Sequence, residues 1–209
     1  MKPTSNNTIR PILIGITGGI GSGKSYICHQ LEQTGHHVFY CDDVAKQIIR
    51  TQADVKRELT ALVGPNVYDA AGQLVKSVLA AYLCRGTDYS HRIDLIVHPR
   101  VAAAFKQQAA LLRPSTPTTL ECNEKVISLQ LLQQLPTDGV LFMECALLFE
   151  SGFDQLVDKS VVVHVSQETQ LKRLIGRDHI SREKALRWIS LQLAEDVKVD
   201  RADYVINNE

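Results

Sequence analysis

The 209-residue sequence predicts one α/β domain built around a parallel sheet, and two observations lead to that prediction. Five short runs rich in valine and isoleucine alternate with helical patterns, which is typical of βαβ units whose strands are buried on both faces. The first run is followed directly by a glycine-rich loop and then by a helical pattern. The five predicted strands are Ile12–Ile16, His37–Cys41, Val140–Cys145, Val161–Val165 and Tyr204–Ile206.

The loop after the first run reads GITGGIGSGKSY, residues 15–26, and contains five glycines. Its spacing Gly18-x4-Gly23-Lys24-Ser25 matches the phosphate-binding loop, whose backbone N–H groups converge on phosphate oxygens that a Cβ atom would keep away. A helix predicted at Tyr26–Thr34 would direct its positive end at the same oxygens. Lys24 is expected to contact the β- and γ-phosphates, and the Ser25 hydroxyl to bind Mg²⁺. The motif predicts binding of a nucleoside triphosphate.

Composition excludes several classes of protein. The chain has 23 Lys+Arg and 23 Asp+Glu, so no charge excess predicts binding to nucleic acid or to a membrane surface. The five cysteines are scattered without metal-binding spacing, which favours reduced thiols in the cytoplasm, and the polar first ten residues favour a soluble protein without a signal sequence. Nothing in the sequence predicts an oligomeric state. The cysteines are Cys28, Cys41, Cys84, Cys122 and Cys145.

Several helices are predicted between the strands. Two lie in the first half of the chain, at Asp54–Val63 and Leu74–Leu83, and two more follow Ser166 and Ser181, which are candidate N-caps. Arg100–Leu112 and Val126–Leu135 are also predicted to be helical. Residues 113–125 between them are rich in Pro, Ser and Thr and are predicted to form an exposed loop or a mobile insertion.

Three classes of phosphate-loop protein remain open at this point, namely a small-molecule kinase, a GTPase-like switch, and a motor or non-catalytic nucleotide binder. The sequence DAAG at Asp69–Gly72 is interpreted as a turn, because no apolar strand precedes it and no N-K-x-D guanine-reading sequence is present. A motor would need a strand that ends in Asp, and the candidate run here ends at Glu144-Cys145. The short chain favours a kinase.

Two aspartates follow the second strand, where open α/β sheets bind their ligands. Asp42 is the candidate for accepting the proton of a substrate hydroxyl, with assistance in holding Mg²⁺ as an alternative. Asp43 is expected to cap a helix that begins near Val44.

Two arginines four residues apart, Arg173 and Arg177, lie on one face of a predicted helix. Such guanidinium groups neutralise the charge that develops during phosphoryl transfer, and the polar connection after Arg177 suits a lid over ATP. The pair His98-Pro99 is expected to mark the start of a helix, and His98 has the alternative role of a donor to the acceptor substrate.

Several segments together resemble the dephospho-coenzyme A kinases, in order and register from about residue 12 to residue 208. They are ITGGIGSGKS, CDDVAKQ, IVHPRV, ALLFESGFD, VVVHVSQETQLKRLIGRD, SLQ and RADYVINN. The resemblance implies a P-loop NTPase fold with a five-stranded parallel sheet and helices on both faces. It also implies an acceptor-binding helical region at about 53–112 and a lid at about 173–195. The segment at about 113–138 is interpreted as a mobile insertion, because this part of the chain is longer than the family usually has.

The implied reaction is ATP-dependent phosphorylation of the ribose 3′-hydroxyl of dephospho-CoA, with ATP, dephospho-CoA and Mg²⁺ as small-molecule partners. The implied catalytic residues are Asp42, Lys24 and Arg177, and Asp43 and His98 are candidates for contacts with the acceptor. The sequence departs from the family pattern at Tyr40, where the first Asp of a D-x-D element is usual. The implied ATP-binding residues are Gly19, Gly21, Ser22, Gly23, Lys24, Ser25, Tyr26 and Arg173.

Overall fold

The computed structural model describes residues 9–209 and contains the predicted five-stranded parallel sheet. The strands lie in the order β2-β3-β1-β4-β5, with parallel pairing recorded between β1 and β3, β1 and β4, and β4 and β5. Each strand coincides with one predicted apolar run to within two residues. Their bounds are β1 (Ile12–Thr17), β2 (His37–Tyr40), β3 (Val140–Glu144), β4 (Lys159–His164) and β5 (Tyr204–Asn207).

Continuous burial explains why the strand sequences are uninterrupted apolar runs. All five residues of β3 and the four central residues of β4 are buried, as expected where both faces of a parallel sheet are covered. The carboxyl ends of parallel strands meet at one edge of the sheet. The segments that follow β1, β4 and β5 therefore lie near one another, and this edge holds the glycine-rich loop.

Helices make up most of the remaining chain. Among the described residues the chain divides into two compact units, one formed by the segment up to Phe39 with Gln108–Glu209, and the other by Tyr40–Gln107. None of the helices in residues 9–209 combines the length and apolar character needed to cross a membrane. The helices are α1 (Lys24–Gln33), α2 (Cys41–Thr51), α3 (Ala53–Val63), α4 (Lys76–Leu83), α5 (Thr87–Leu111), α6 (Leu129–Gln133), α7 (Gln167–Asp178), α8 (Arg182–Ser190) and α9 (Glu195–Arg201).

The two serine caps are confirmed. The Ser166 hydroxyl accepts a hydrogen bond from the Thr169 N–H at the start of α7, and the Ser181 hydroxyl accepts from the Lys184 N–H at the start of α8. Each bond satisfies one of the N–H groups that a helix N-terminus leaves without a partner. A further helix, α9, was not predicted because its seven residues are too few to show a clear apolar period.

The prediction that His98-Pro99 begins a helix is wrong, because Pro99 lies inside the 25-residue helix α5. One apolar face continues through the proline, with Ile93, Val97, Val101 and Phe105 all buried. In addition, the Arg100 guanidinium donates to the Ile96 carbonyl at 2.6 Å, one turn back. Burial on both sides of the proline therefore keeps the helix continuous despite the missing N–H.

The capping role predicted for Asp43 is also wrong. Helix α2 begins at Cys41, with Tyr40 as its N-cap, so Asp43 is already the third helical residue. Its exposed carboxylate forms an ion pair with Lys46 at 3.0 Å instead of capping the backbone. The strand passes directly into the helix, and the two aspartates both lie in the first turn, where negative charge is favourable.

The Pro/Ser/Thr-rich segment 113–125 is a loop that leads onto the sheet edge. The Val205 N–H donates to the Lys125 carbonyl at 2.8 Å, and the Ile127 N–H donates to the Val205 carbonyl at 2.9 Å. This pairing beside β5 shortens the predicted helix at Val126–Leu135 to α6, and it covers backbone groups that an edge strand would expose. Tyr204 adds a second anchor, since its hydroxyl donates to the Leu120 carbonyl at 3.1 Å and accepts from the Cys122 N–H at 3.2 Å.

We expect Tyr204→Phe to lower the free energy of unfolding by about 1–3 kcal/mol, because the buried backbone groups of the loop then lack their partner. Urea denaturation measures the change. Tyr26→Phe is the control, since that side chain is 59% exposed, and it should change stability by less than about 0.5 kcal/mol. Equal effects of the two variants would contradict the anchoring role.

Candidate active site

The glycine-rich loop, residues 18–23, connects β1 to the first residue of α1. At Gly23 the backbone has φ 93°, and a Cβ atom would lie 2.3 Å from the Asn208 side-chain nitrogen. At Gly18 a Cβ atom would lie 2.4 Å from the Val163 carbonyl oxygen. Glycine is therefore required at both ends of the loop by the close approach of the segments around β4 and β5.

A cavity of about 420 Å³ opens beside this loop and beside the N-terminus of α1. Three of its side chains carry positive charge, and its backbone wall includes the helix end that favours anions. The volume is in the range of small-molecule sites. The lining residues are Ile20, Gly21, Gly23, Lys24, Ser25, Arg173 and Arg177.

The three cations differ in what they contact. The Lys24 ammonium donates to the Gly18 carbonyl at 3.0 Å, across its own loop. Arg173 donates to the Ser22 carbonyl at 3.2 Å and to the Asn208 carbonyl at 2.7 Å, so it braces the loop. Arg177 is 62% exposed and forms two hydrogen bonds with the neighbouring Asp178 carboxylate, at 2.8 and 2.9 Å. These bonds raise the pKa of the Arg177 guanidinium and lower the pKa of the Asp178 carboxyl.

The other predicted loop residues do not line the cavity. Ser22 is buried, and its hydroxyl has no hydrogen-bond partner among residues 9–209. Gly19 lies beneath two side chains, because a Cβ atom there would fall 2.3 Å from the Gln170 amide nitrogen and 2.9 Å from a Glu195 carboxylate oxygen. Tyr26 is largely exposed on α1. Their contribution to ATP binding stays a prediction.

The predicted acceptor-side residues belong to the second compact unit. Asp42 is the second residue of α2 and is exposed. Asp43 is paired with Lys46, and His98 lies 3.4 Å from the Asp94 carboxylate one turn earlier on α5. The roles assigned to Asp42, Asp43 and His98 stay predictions.

The residues at the cavity fit a magnesium ion that is held mainly by phosphate. No group of three or more His, Cys, Asp or Glu side chains that could bind a metal occurs within residues 9–209. The Ser25 hydroxyl nevertheless lines the same cavity as Lys24. Mg²⁺ accepts such a site, because it prefers hard oxygen ligands and commonly takes few from the protein and the rest from phosphates and water.

Two residues of the site carry no role in the sequence prediction. The Asn208 side chain donates to the Ser22 carbonyl at 2.8 Å, and the Gln192 side chain accepts from the Ile20 N–H at 2.7 Å. Both are polar residues inside the family-like segments RADYVINN and SLQ. Their position in those segments was the one feature of the sequence that could have indicated a role in the site. The contacts themselves could not be predicted, because a side chain that binds a distant backbone group leaves no periodic pattern in the sequence.

Comparison with known proteins identifies the family. A sequence model of the family described as CoaE, dephospho-CoA kinase, matches residues 12–122 and 124–209. Curated relatives with the name dephospho-CoA kinase include one from Bacteroides fragilis, 35% identical over 95% of this chain and 85% of its own. Another, from Fusobacterium nucleatum, is 32% identical over 94% and 89%.

Solved structures agree with the fold. The crystal structure of TT1252 from Thermus thermophilus matches with a TM-score of 0.72 and 27% identity, and the match covers 96% of this chain and 90% of that one. The dephospho-CoA kinase from Campylobacter jejuni matches with a TM-score of 0.53 and 19% identity, over 94% and 88% of the two chains. Both matches span almost the whole chain.

Lys24→Ala should leave the fold intact and lower turnover by at least about 10²–10³-fold, because the phosphate-loop motif predicts that this cation contacts the β- and γ-phosphates. Steady-state kinetics and circular dichroism on the purified variant measure the two quantities. Lys172→Ala removes an exposed lysine from α7 and is the matched control. Wild-type turnover by folded Lys24→Ala would contradict the assignment of the loop.

Proposed function

The chain belongs to the dephospho-CoA kinase family, and on that basis we propose a role in the reaction for each residue of the site. The enzyme transfers the γ-phosphoryl group of ATP to the ribose 3′-hydroxyl of dephospho-CoA and releases ADP and coenzyme A. These roles are supported by one observation: Lys24, Ser25, Arg173 and Arg177 line one cavity beside the glycine-rich loop.

The glycine-rich loop binds the triphosphate of ATP. Its backbone N–H groups and the N-terminus of α1 provide partial positive charge, and Lys24 provides a full one. To reach a phosphate oxygen, the Lys24 ammonium exchanges its hydrogen bond with the Gly18 carbonyl for one with ATP. Arg173 holds the carbonyls of the loop, so it positions the phosphate-binding backbone. The proposed ATP-binding residues are Gly19, Gly21, Ser22, Gly23, Lys24, Ser25, Tyr26 and Arg173.

Arg177 stabilises the charge of the transferring phosphoryl group. In phosphoryl transfer, negative charge spreads over the equatorial oxygens, and a guanidinium binds two such oxygens at once. In this structure the same fork of N–H donors is occupied by Asp178. A switch of Arg177 from Asp178 to the phosphate accompanies closure of the lid, about residues 173–195, over ATP.

Asp42 positions the acceptor hydroxyl and takes its proton. A secondary hydroxyl is a weak nucleophile, and a carboxylate within hydrogen-bond distance orients it and accepts the proton as the new P–O bond forms. Asp43, and His98 within the proposed acceptor-binding region 53–112, are assigned to contacts with dephospho-CoA.

Ser25 would hold Mg²⁺ through its hydroxyl oxygen, next to the phosphates. When bound, the ion neutralises charge on the β- and γ-phosphate oxygens. We assign the enzyme to the cytoplasm, because its odd number of scattered cysteines suits a reducing compartment.

A panel of acceptors tests the substrate assignment. ADP release is followed with ATP, Mg²⁺ and one acceptor at a time, namely dephospho-CoA, a nucleoside or a nucleoside monophosphate. Turnover is expected with dephospho-CoA, and mass spectrometry and NMR should place the new phosphate at the 3′-oxygen. Turnover with another acceptor would identify a different kinase, and ATP hydrolysis that needs no acceptor would identify a switch or a motor.

Asp42→Asn should lower kcat by about 10²–10⁴-fold, because the amide keeps the shape of the side chain but cannot accept the proton. The Kd for ATP, measured by calorimetry, should stay near the wild-type value. Asp43→Ala is the matched neighbour. It should keep its melting temperature, since within the fold it loses only an exposed ion pair, and it should keep measurable kcat, since the loss of its assigned contact with dephospho-CoA leaves Asp42 to take the proton. The reverse result, with Asp43 essential and Asp42 dispensable, would overturn the assignment.

A further inference from the structure

Gln192 lies in the short segment 191–194 that joins α8 to α9, at the end of the proposed lid. Its side-chain oxygen accepts a hydrogen bond from the Ile20 N–H at 2.7 Å, a contact between residues 172 positions apart. Ile20 is one of the residues that line the cavity beside Lys24. A single neutral side chain thus connects the lid to the middle of the phosphate-binding loop.

The surroundings of this contact hold Gln192 in place. Its own N–H donates to the Ile189 carbonyl at 3.1 Å, which closes α8. The next residue, Leu193, donates its N–H to the Glu150 carboxylate at 3.1 Å. Because the backbone on both sides of the side chain is fixed, the Gln192 carboxamide reaches Ile20 from a defined direction.

The loop needs this support on its first half. Arg173 and Asn208 hold the carbonyls of Gly21 and Ser22, on the second half. The first half contains Gly18 and Gly19, whose backbones have wide conformational freedom. Within the loop, the Ser22 N–H donates to the Gly19 carbonyl at 3.0 Å and the Lys24 ammonium donates to the Gly18 carbonyl at 3.0 Å. The Gln192 side chain holds the Ile20 N–H from outside the loop, so it links the first half of the loop to the segment 191–194.

We propose that Gln192 is a positioning residue that couples closure of the lid to the shape of the phosphate-binding loop. The proposal rests on the function proposed above, because it assumes that the loop binds ATP and that Arg177 acts from the lid. Gln192 does not itself line the cavity beside the loop. It acts through the Ile20 peptide on one side and through the end of α8 on the other.

The test uses two variants of the full chain. Gln192→Met keeps the length of the side chain and removes the acceptor oxygen, and Gln192→Ala removes both. The loss of one neutral hydrogen bond should raise the Kd for ATP about fivefold to tenfold in either variant. The KM for dephospho-CoA should stay within twofold of wild type. Gln155→Ala, which changes an exposed glutamine in the same compact unit, is the control and should bind ATP as wild type does.

A double-mutant cycle with Arg177→Ala separates coupling from a merely structural role. If Gln192 transmits lid closure, Gln192→Met should lower kcat when Arg177 is present. That effect should shrink to less than twofold when Arg177 is already absent, because no guanidinium remains to be brought in. Additive effects on kcat, or an unchanged Kd for ATP in both Gln192 variants, would overturn the proposal.

The binding measurement keeps this test separate from the proposed function. The Kd for ATP is measured by calorimetry without an acceptor, so it reports on Gln192 even if dephospho-CoA is not phosphorylated. If the wild-type enzyme does not turn over dephospho-CoA but Gln192→Met still weakens ATP binding, the substrate assignment is contradicted and the role of Gln192 at the loop is supported. Normal wild-type turnover with unchanged ATP affinity in Gln192→Met would contradict the proposal about Gln192 alone.

Discussion

The phosphate-binding loop keeps its shape because side chains from the last forty residues of the chain hold its backbone groups. A loop built mostly of glycine gives up a large amount of conformational freedom when it adopts one arrangement. Hydrogen bonds from Arg173, Asn208 and Gln192 to the loop offset that cost. The parallel sheet makes these bonds possible, since it brings the carboxyl ends of β1, β4 and β5 to one edge.

The parts of the fold that could be predicted are those encoded by residues adjacent in the sequence. The five strands are predicted within two residues, because a buried parallel strand is a continuous apolar run. The glycines of the loop are predicted by their spacing, and the close contacts of Gly18 and Gly23 with Val163 and Asn208 give a reason for glycine that the spacing did not contain. The errors at Pro99 and Asp43 have one cause. In each case a local rule for helix starts gives the wrong residue. Tertiary packing keeps α5 continuous through Pro99, and β2 leads directly into α2, so that α2 begins before Asp43.

The site was predicted less completely than the fold. Lys24, Ser25, Arg173 and Arg177 meet at one cavity, and each belongs to a motif with fixed local spacing. Gln192 and Asn208 could not be assigned in this way, because their partners are backbone groups 172 and 186 residues away. Such a contact depends on which strands are neighbours in the sheet, and a single sequence does not state that order. The acceptor side, with Asp42, remains a prediction from motif and resemblance.

The charges around the loop explain why an anionic ligand and an ordered loop support each other. Lys198 is fully buried on α9, and its ammonium has no hydrogen-bond partner within residues 9–209. Burial lowers the pKa of Lys198; the Glu195 and Glu150 carboxylates oppose that shift, and Lys24 adds to it. At the cavity beside the loop, Lys24, Arg173 and Arg177 lie together, and like charges held close to one another are more stable when a polyanion lies against them. In the proposed function ATP binds the folded loop and not the unfolded chain, so it stabilises this arrangement by an amount that grows with its concentration relative to its Kd.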